Sequence, residues 1–256
     1  MDAKDRVQAQ FGRSAASYAT SDVHARGDSL AILAELIPAE PGWRALDVAT
    51  GAGHTALAMA PRVAHVTAAD LTTEMLEQTA RLAHERGLAN IEVRRADAEA
   101  LPFPDASFDL VTCRLAFHHF AHPETGIAEF ARVLRPGGVL GFTDNVTVED
   151  PVGAAYYNAY ETLRDPSHHE VLPLSGLIAR FERAGFRVEA TRSLSKEFEF
   201  EPWADRMHVS AADKVRLVDM LRDVPATARL VLAPRFAADT VWFTLWETVI
   251  VARKLG

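Results

Sequence analysis

Short apolar runs bounded by turn-forming or polar residues recur along the first two thirds of the chain. VTAAD (66–70), IEVRRAD (91–97), FDLVTC (108–113) and VLGFTD (139–144) read as strands. Between them the apolar period changes to that of a helix. TEMLEQTARLAHERG places Met75, Leu76, Thr79, Leu82 and Ala83 on one stripe, and Gly87 is a natural stop. PETGIAEFARVLRPGG does the same with Ile127, Phe130, Val133 and Leu134, and its helix is expected to halt at Pro136. Upstream, Leu30, Leu33, Leu36 and Ile37 form another helical repeat, and downstream SGLIARFERAGF predicts one more. Strands alternating with helices at this spacing imply parallel βαβ units in a doubly wound α/β sheet, with ligands held at the carboxyl ends of the strands.

The earliest such end is RALDVAT followed by GAGHTA, which spans residues 44–56 and matches the dinucleotide pattern G-x-G-x-x-A. In a dinucleotide site the helix that follows the loop faces a doubly charged pyrophosphate. Here Asp47 stands four residues before Gly51 and would add negative charge beside it. A ligand with a cationic part suits the loop better. S-adenosylmethionine has an ammonium, a sulfonium and a carboxylate but no phosphate. Asp70 and Asp97 end the next two strands, where the first can accept from ribose hydroxyls and the second from an adenine amine.

Composition narrows the classes further. At 256 residues, 48% hydrophobic and 24% charged, the chain suits one soluble domain with an added cap. No stretch reaches the roughly 20 apolar residues of a membrane span, and MDAKDRVQAQ has no apolar signal core, so a cytoplasmic location is the expectation. A net charge of −8 with mixed signs argues against nucleic acid as partner and for a small molecule. Cys113 is the only cysteine, which excludes an internal disulfide and cysteine-based metal centres; no metal site is expected.

In these ordered segments the chain resembles the class I S-adenosylmethionine-dependent methyltransferases, in particular the small-molecule group of the ubiquinone and menaquinone biosynthesis methyltransferases. LDVATGAGHTA looks like the first motif and AADLTTEML the second. RRADAEALPFPDASFDLVTCRLAFHHF covers the third and fourth, and VLRPGGVLGFTD the last; RDPSHHEV and ETVIVARK match more weakly. The resemblance implies a mostly parallel seven-stranded sheet of the Rossmann-like methyltransferase fold, with an N-terminal helical lid and a helical cap insertion. The implied division is a lid over 1–40, a cofactor-binding core over 41–147, cap insertions with one core helix and strand over 148–234, and a final strand region over 235–256.

The resemblance also implies residue roles. Asp47 and the backbone of Ala49, Gly51 and Gly53 would hold the methionine part of the cofactor, and Arg114 would lie near its tail. Asp70 would take the ribose, with Leu71 and Met75 packing nearby, while Asp97 and Ala98 would read the adenine. His54 stands where many relatives have a third glycine. Phe11 and Tyr18 are candidates to cover the sulfonium if the N-terminal segment is a lid rather than a packing helix. His118 or His119 in LAFHHF is the candidate base, against the alternative of half-buried packing residues, with at most one of the pair facing the sulfonium. His168 and His169 in DPSHHEV read as either a polar loop or site residues, and Cys113 as a small hydrophobe. Tyr156, Tyr157, Tyr160, Trp203 and Met207 are expected to line an apolar substrate pocket or to form ordinary core.

Base methylation of nucleic acids is disfavoured, because CRLAFHHF replaces the Asn/Asp-Pro-Pro-aromatic signature and Cys113 follows Thr112 rather than proline. The competing functions are a nicotinamide-dependent oxidoreductase and a fold relative that binds S-adenosylmethionine without transferring its methyl. The acceptor, the atom methylated and the oligomeric state are not fixed by the sequence.

Overall fold

The computed structural model describes residues 2–19, 27–237 and 240–256. Five strands run parallel in the order β3 (Ile91–Arg95), β2 (His65–Asp70), β1 (Arg44–Val48), β4 (Phe108–Arg114) and β5 (Leu134–Val146). Beyond β5 the sheet continues through β8 (Thr240–Lys254), antiparallel to it, and ends at β6 (Phe186–Glu199). A short β7 (Arg235–Ala237) pairs only with β8 and adds an eighth strand to the expected seven. Strand order reverses at β1, so the crevice above β1 and β4 is the topological switch point where ligands of such sheets bind.

Alternation along the strands divides two cores. Ala45, Leu110, Val139, Val249 and Val251 turn toward α2 (Asp28–Leu36) and α3 (His54–Met59), against Leu33, Ile37, Ala56 and Met59. Their sequence neighbours Leu46, Val111, Leu140, Ile250 and Ala252 turn the other way. There they meet Ile127 and Phe130 of α5 (Pro123–Val133), and Leu177 and Phe181 of α7 (Leu174–Arg183). Both sheet faces are covered, which is why the strands read as nearly continuous apolar runs.

Two expected boundaries move. The helix α5 stops at Val133 rather than Pro136, and Leu134 already belongs to β5. Pro136 has no amide hydrogen for a helix, and the chain turns through Gly137 at φ +75° before the buried run begins at Gly138. The strand β3 ends at Arg95, so Asp97 lies in the turn beyond it, bridged to Ala100.

A third cluster sits at the far ends of β6 and β8. Here α6 (Pro151–Arg164), α8 (Phe200–Asp205), α9 (Ala211–Arg222) and α10 (Ala226–Leu232) pack around Phe243 and Leu245. Tyr157 and Tyr160 are core residues of this cluster rather than pocket lining. Tyr160 stacks on Trp203 with ring centroids 5.4 Å apart, and Trp203 meets Phe243 edge-on at 4.7 Å. Helical spacing turned these rings inward because that is where the largest apolar area leaves water. Tyr156 is half-buried and donates to the Met220 carbonyl at 2.6 Å.

The N-terminal helix α1 (Ala3–Ala19) lies against α4 (Thr73–Glu85) and across the mouth of the crevice. Gln8 donates to the Leu71 carbonyl at 3.1 Å, and Lys4 pairs with both Asp97 (2.5 Å) and Glu99 (2.9 Å). Among the described residues no helix is long and apolar enough to cross a membrane.

Candidate cofactor and acceptor site

The crevice encloses a cavity of about 1040 Å³, its open mouth included. Its floor is built by the ends of β1, β2 and β4. Just beyond β1 and β4, Ala49 (φ +51°) and Leu115 (φ +55°) are both left-handed, a conformation that non-glycine residues rarely hold outside constrained sites. These turns are fixed by backbone bonds from Thr50 N–H to the Ala69 carbonyl (2.9 Å) and from Leu115 N–H to the Thr143 carbonyl (2.7 Å).

The glycine loop follows. Gly51 has φ +55°, and a Cβ there would meet nothing within 4 Å, so the backbone borders open space. Gly53, expected at the ligand, instead turns the chain behind the wall. Its φ is +86°, and a Cβ would fall 2.6 Å from Thr79 Cγ2. Thr79 also donates to the Gly51 carbonyl at 2.9 Å, which pins the loop to α4. His54, the first residue of α3, is buried and lines the cavity.

Asp47 is held by donors on both oxygens. Thr112 donates to Oδ1 at 2.6 Å; Thr50 and the Ala56 N–H reach Oδ2 at 2.5 and 3.1 Å. Burial nevertheless dominates and pushes its carboxyl up to about 6. Asp70 takes one backbone N–H on each oxygen, from Thr72 and Gly51, both at 2.8 Å. Burial raises its pKa as well. Each carboxylate oxygen can accept twice, so Asp70 keeps capacity toward the cavity it lines. Arg114 lines the same space and donates from Nε to Thr55 Oγ1 at 3.1 Å; burial draws its pKa down against the charges of Glu247 and Asp47. Leu71, Met75, Asp97, Ala98 and Phe11 complete the expected lining, while the Tyr18 side chain lies outside the described residues.

A second cavity opens beside the first, and Phe11, Leu115 and His119 line both. Its other walls combine Phe198 and Leu245 with His118, Asn145, Arg164, Asp165, Arg206 and Glu247, and with Trp203, whose buried ring carries the Arg164 guanidinium 4.2 Å above it. Of the aromatic residues expected there, only Trp203 reaches it. Met207 instead receives the Gln10 amide on its sulfur at 3.7 Å.

The two histidines diverge. His118 turns to Asp144 at the end of β5: Nδ1 lies 2.6 Å from Oδ1, and the His118 N–H donates to Oδ2 at 3.0 Å. Burial pulls its pKa down, but the Asp144 charge and hydrogen bond outweigh that and the net shift is upward. His119 packs edge-on to Phe11, with centroids 4.9 Å apart. Its Nδ1 faces the Ser167 carbonyl at 3.1 Å and the Ser167 hydroxyl at 3.3 Å. That hydroxyl spends its proton on Asp165 Oδ1 at 2.6 Å, so both oxygens can only accept and Nδ1 must carry the hydrogen. The lone pair therefore sits on Nε2. Burial, then the His118 charge, lowers the His119 pKa to about 4. His168 bonds the Asn158 side chain at 2.8 Å, and His169 contributes its backbone N–H to the His118 carbonyl. Cys113 is buried and packs in the core.

Thr50, Thr112, Asp144, Ser167 and Glu247 escaped the sequence reading. Asp144 carried a usable signal, since it too is an acid at a strand end. The other four take their meaning from partners at least two elements away, except Thr50, which bonds Asp47 locally.

A family profile described as a methyltransferase domain matches residues 46–142. The chain belongs to the S-adenosylmethionine-dependent methyltransferases, and its cofactor is S-adenosylmethionine. It is 34% identical to the "uncharacterized methyltransferase YcgJ" of Bacillus subtilis strain 168 over 86% of this chain and 87% of that one. The crystal structure of the Bacillus subtilis YcgJ protein superposes with a TM-score of 0.85 at 32% identity, covering 89% of this chain and 98% of that one. A ubiquinone/menaquinone biosynthesis C-methyltransferase, UbiE of Brucella anthropi, is 35% identical over 66% of this chain and 65% of its own length. Family membership sets aside the nicotinamide reading of the glycine loop, in keeping with the acid beneath it. The fold alone does not dictate methyl transfer, since a [4+2]-cyclase, SpnF, shares it at 23% identity and a TM-score of 0.64.

The residues present fit the cofactor. The open space at Gly51, two buried acids on the wall and the guanidinium of Arg114 offer separate partners for a carboxylate, an ammonium and ribose hydroxyls.

Proposed function

We propose that this protein methylates a small-molecule acceptor held in the second cavity. The observation that carries this reading is the shared wall of Phe11, Leu115 and His119, which sets a half-open space with aromatic and polar walls directly beside the cofactor cavity. Bound cofactor supplies an electrophilic methyl group on a sulfonium whose sulfur leaves as a neutral thioether.

The chain's own work is then positioning and proton handling. Asp47 and the backbone at Ala49 and Gly51 hold the ammonium end, Arg114 the carboxylate end, and Asp70 the ribose. Asp97 and Ala98 border the adenine, flanked by Leu71 and Met75. Phe11 covers the reacting centre from α1. In this arrangement α1 acts as the lid, 41–147 as the cofactor core, and α6 and α8 as the part of 148–234 that walls the acceptor; α2 and α7, packed on the sheet through Leu33 and Phe181, belong to the core rather than to lid or cap.

His119 is the base. Its Nε2 lone pair is available at neutral pH because burial keeps the ring unprotonated. His118, whose pKa Asp144 raises, is the positioning residue: its ring lies tilted against that of His119 with centroids 4.1 Å apart, and in its protonated form it favours negative charge developing on the acceptor.

The test is a panel of hydroxyl-, thiol- and amine-bearing metabolites incubated with labelled S-adenosylmethionine and read by mass spectrometry. Acceptor-dependent formation of S-adenosylhomocysteine and a methylated product supports the reading. Tight cofactor binding without product across the panel, or product formed only on nucleic acid or protein, overturns it.

A further inference from the structure

Several buried polar atoms lack a partner among the described residues, and their positions separate them. Glu161 Oε1 and the hydroxyls of Tyr157 and Tyr160 line neither cavity and point to no ligand. Glu247 is different. It lies on β8 and is 4% exposed, yet it forms part of the wall of the second cavity. Its Oε1 accepts from Lys196 Nζ at 2.6 Å, whereas Oε2 is buried with no hydrogen-bond partner.

The site is built by the sheet rather than by a loop. Glu247 pairs with Asn145 of β5 on one side and Leu194 of β6 on the other, and Lys196 follows two residues along β6. Lys196 also reaches Ser29 Oγ of α2 at 3.5 Å, so the carboxylate is fixed from behind, and with Glu247 in the cavity wall the oxygen still without a partner is Oε2. Charge is already balanced there. Lys196 makes the ion pair, and Glu247 is the foremost charge acting on Arg114. What Glu247 Oε2 lacks is a hydrogen-bond donor, not a counter-ion, and a buried carboxylate oxygen without one is unfavourable.

Resting on the reading of the second cavity as the acceptor site, we propose that Glu247 Oε2 recognises the acceptor by accepting a hydrogen bond from a neutral hydroxyl remote from the atom that is methylated. Acceptors of this enzyme are uncharged, hydroxyl-bearing molecules whose apolar part lies beside Phe11 and Phe198. Glu247 sets specificity and takes no part in the proton transfer assigned to His119.

The experiment uses the full-length protein saturated with S-adenosylhomocysteine and probed by calorimetry with resorcinol, 1,3-dimethoxybenzene and 3-methoxybenzylamine. Resorcinol is expected to lose roughly tenfold or more in affinity in Glu247→Gln, as befits a hydrogen bond to a charged group, while the dimethoxy ether binds wild type and variant alike. The double variant Lys196→Met/Glu247→Leu removes the ion pair as a unit and guards against misfolding from an unpaired lysine; it should show the same selective loss. Resorcinol affinity unchanged in both variants, absent in the wild type, or falling in parallel with the ether overturns the proposal. So does tighter Glu247-dependent binding of the ammonium probe. Failure of the wild type to bind S-adenosylhomocysteine would instead remove the underlying reading, and the proposal with it.

Discussion

At the scale of single residues the histidine pair makes the sharpest demand. His119→Asn should lower turnover by about 10²- to 10⁴-fold with cofactor affinity intact, the usual range for loss of a general base. The pH dependence follows from its lowered pKa. His119 is protonated only below about 4, so the acid limb of kcat/KM should fall there and not near 6.5. An acid limb near 6.5 that vanishes in His119→Asn would show that the ring titrates normally. Asp47 gives a second pH signature. Its carboxyl is pushed up to about 6 by burial, and a ligand ammonium favours the ionised form. Below about pH 6 cofactor binding must therefore expel a proton, and the Kd for S-adenosylhomocysteine should rise by up to about tenfold per pH unit. Calorimetry in buffers of differing ionisation enthalpy reads this directly, and Asp47→Asn should bind more weakly and without that slope.

At the scale of elements the two glycines of the loop separate folding from binding. Gly53→Ala places a Cβ against Thr79 at positive φ and should destabilise the fold by at least about 1 to 3 kcal/mol, measured by denaturant titration. The Cβ of Gly51→Val meets no atom within 4 Å, and although a branched residue at φ +55° is strained by about 1 to 2 kcal/mol, the variant should stay folded by circular dichroism. It nevertheless puts a branched side chain where the ligand approaches, and S-adenosylhomocysteine binding should be abolished. The elements themselves were largely legible, because a strand buried on both faces and an amphipathic helix leave different periods in the sequence. The end of α5 and the start of β5 were not. A helix that passes into a strand without a loop, as at Val133 and Leu134, carries no punctuation to read. Tyr157 and Tyr160 show the same limit: helical spacing identified a buried face without saying whether it faced a cavity or another helix. The histidine roles were hidden for a related reason, since Asp144 and Ser167, which orient the two rings, lie 26 and 48 residues away.

For the whole molecule, cofactor binding and stability are one measurement. A ligand that binds only the folded chain adds about 2.7 kcal/mol at a hundredfold excess over its Kd, which for a domain of this size raises Tm by roughly 5 to 10 °C. S-adenosylhomocysteine should produce such a shift and NADH should not. A shift with NADH of similar size would overturn the reading of the glycine loop. The shared wall of Phe11, Leu115 and His119 has a further consequence. With an acceptor in the second cavity, as proposed, whatever one ligand does to order that wall the other finds already done, and the two occupancies should be thermodynamically linked. Linkage is reciprocal: the factor by which acceptor tightens the hold on S-adenosylhomocysteine must equal the factor by which S-adenosylhomocysteine tightens the hold on acceptor. A closed binding cycle on this protein would therefore yield a single number for the cooperation between its two cavities.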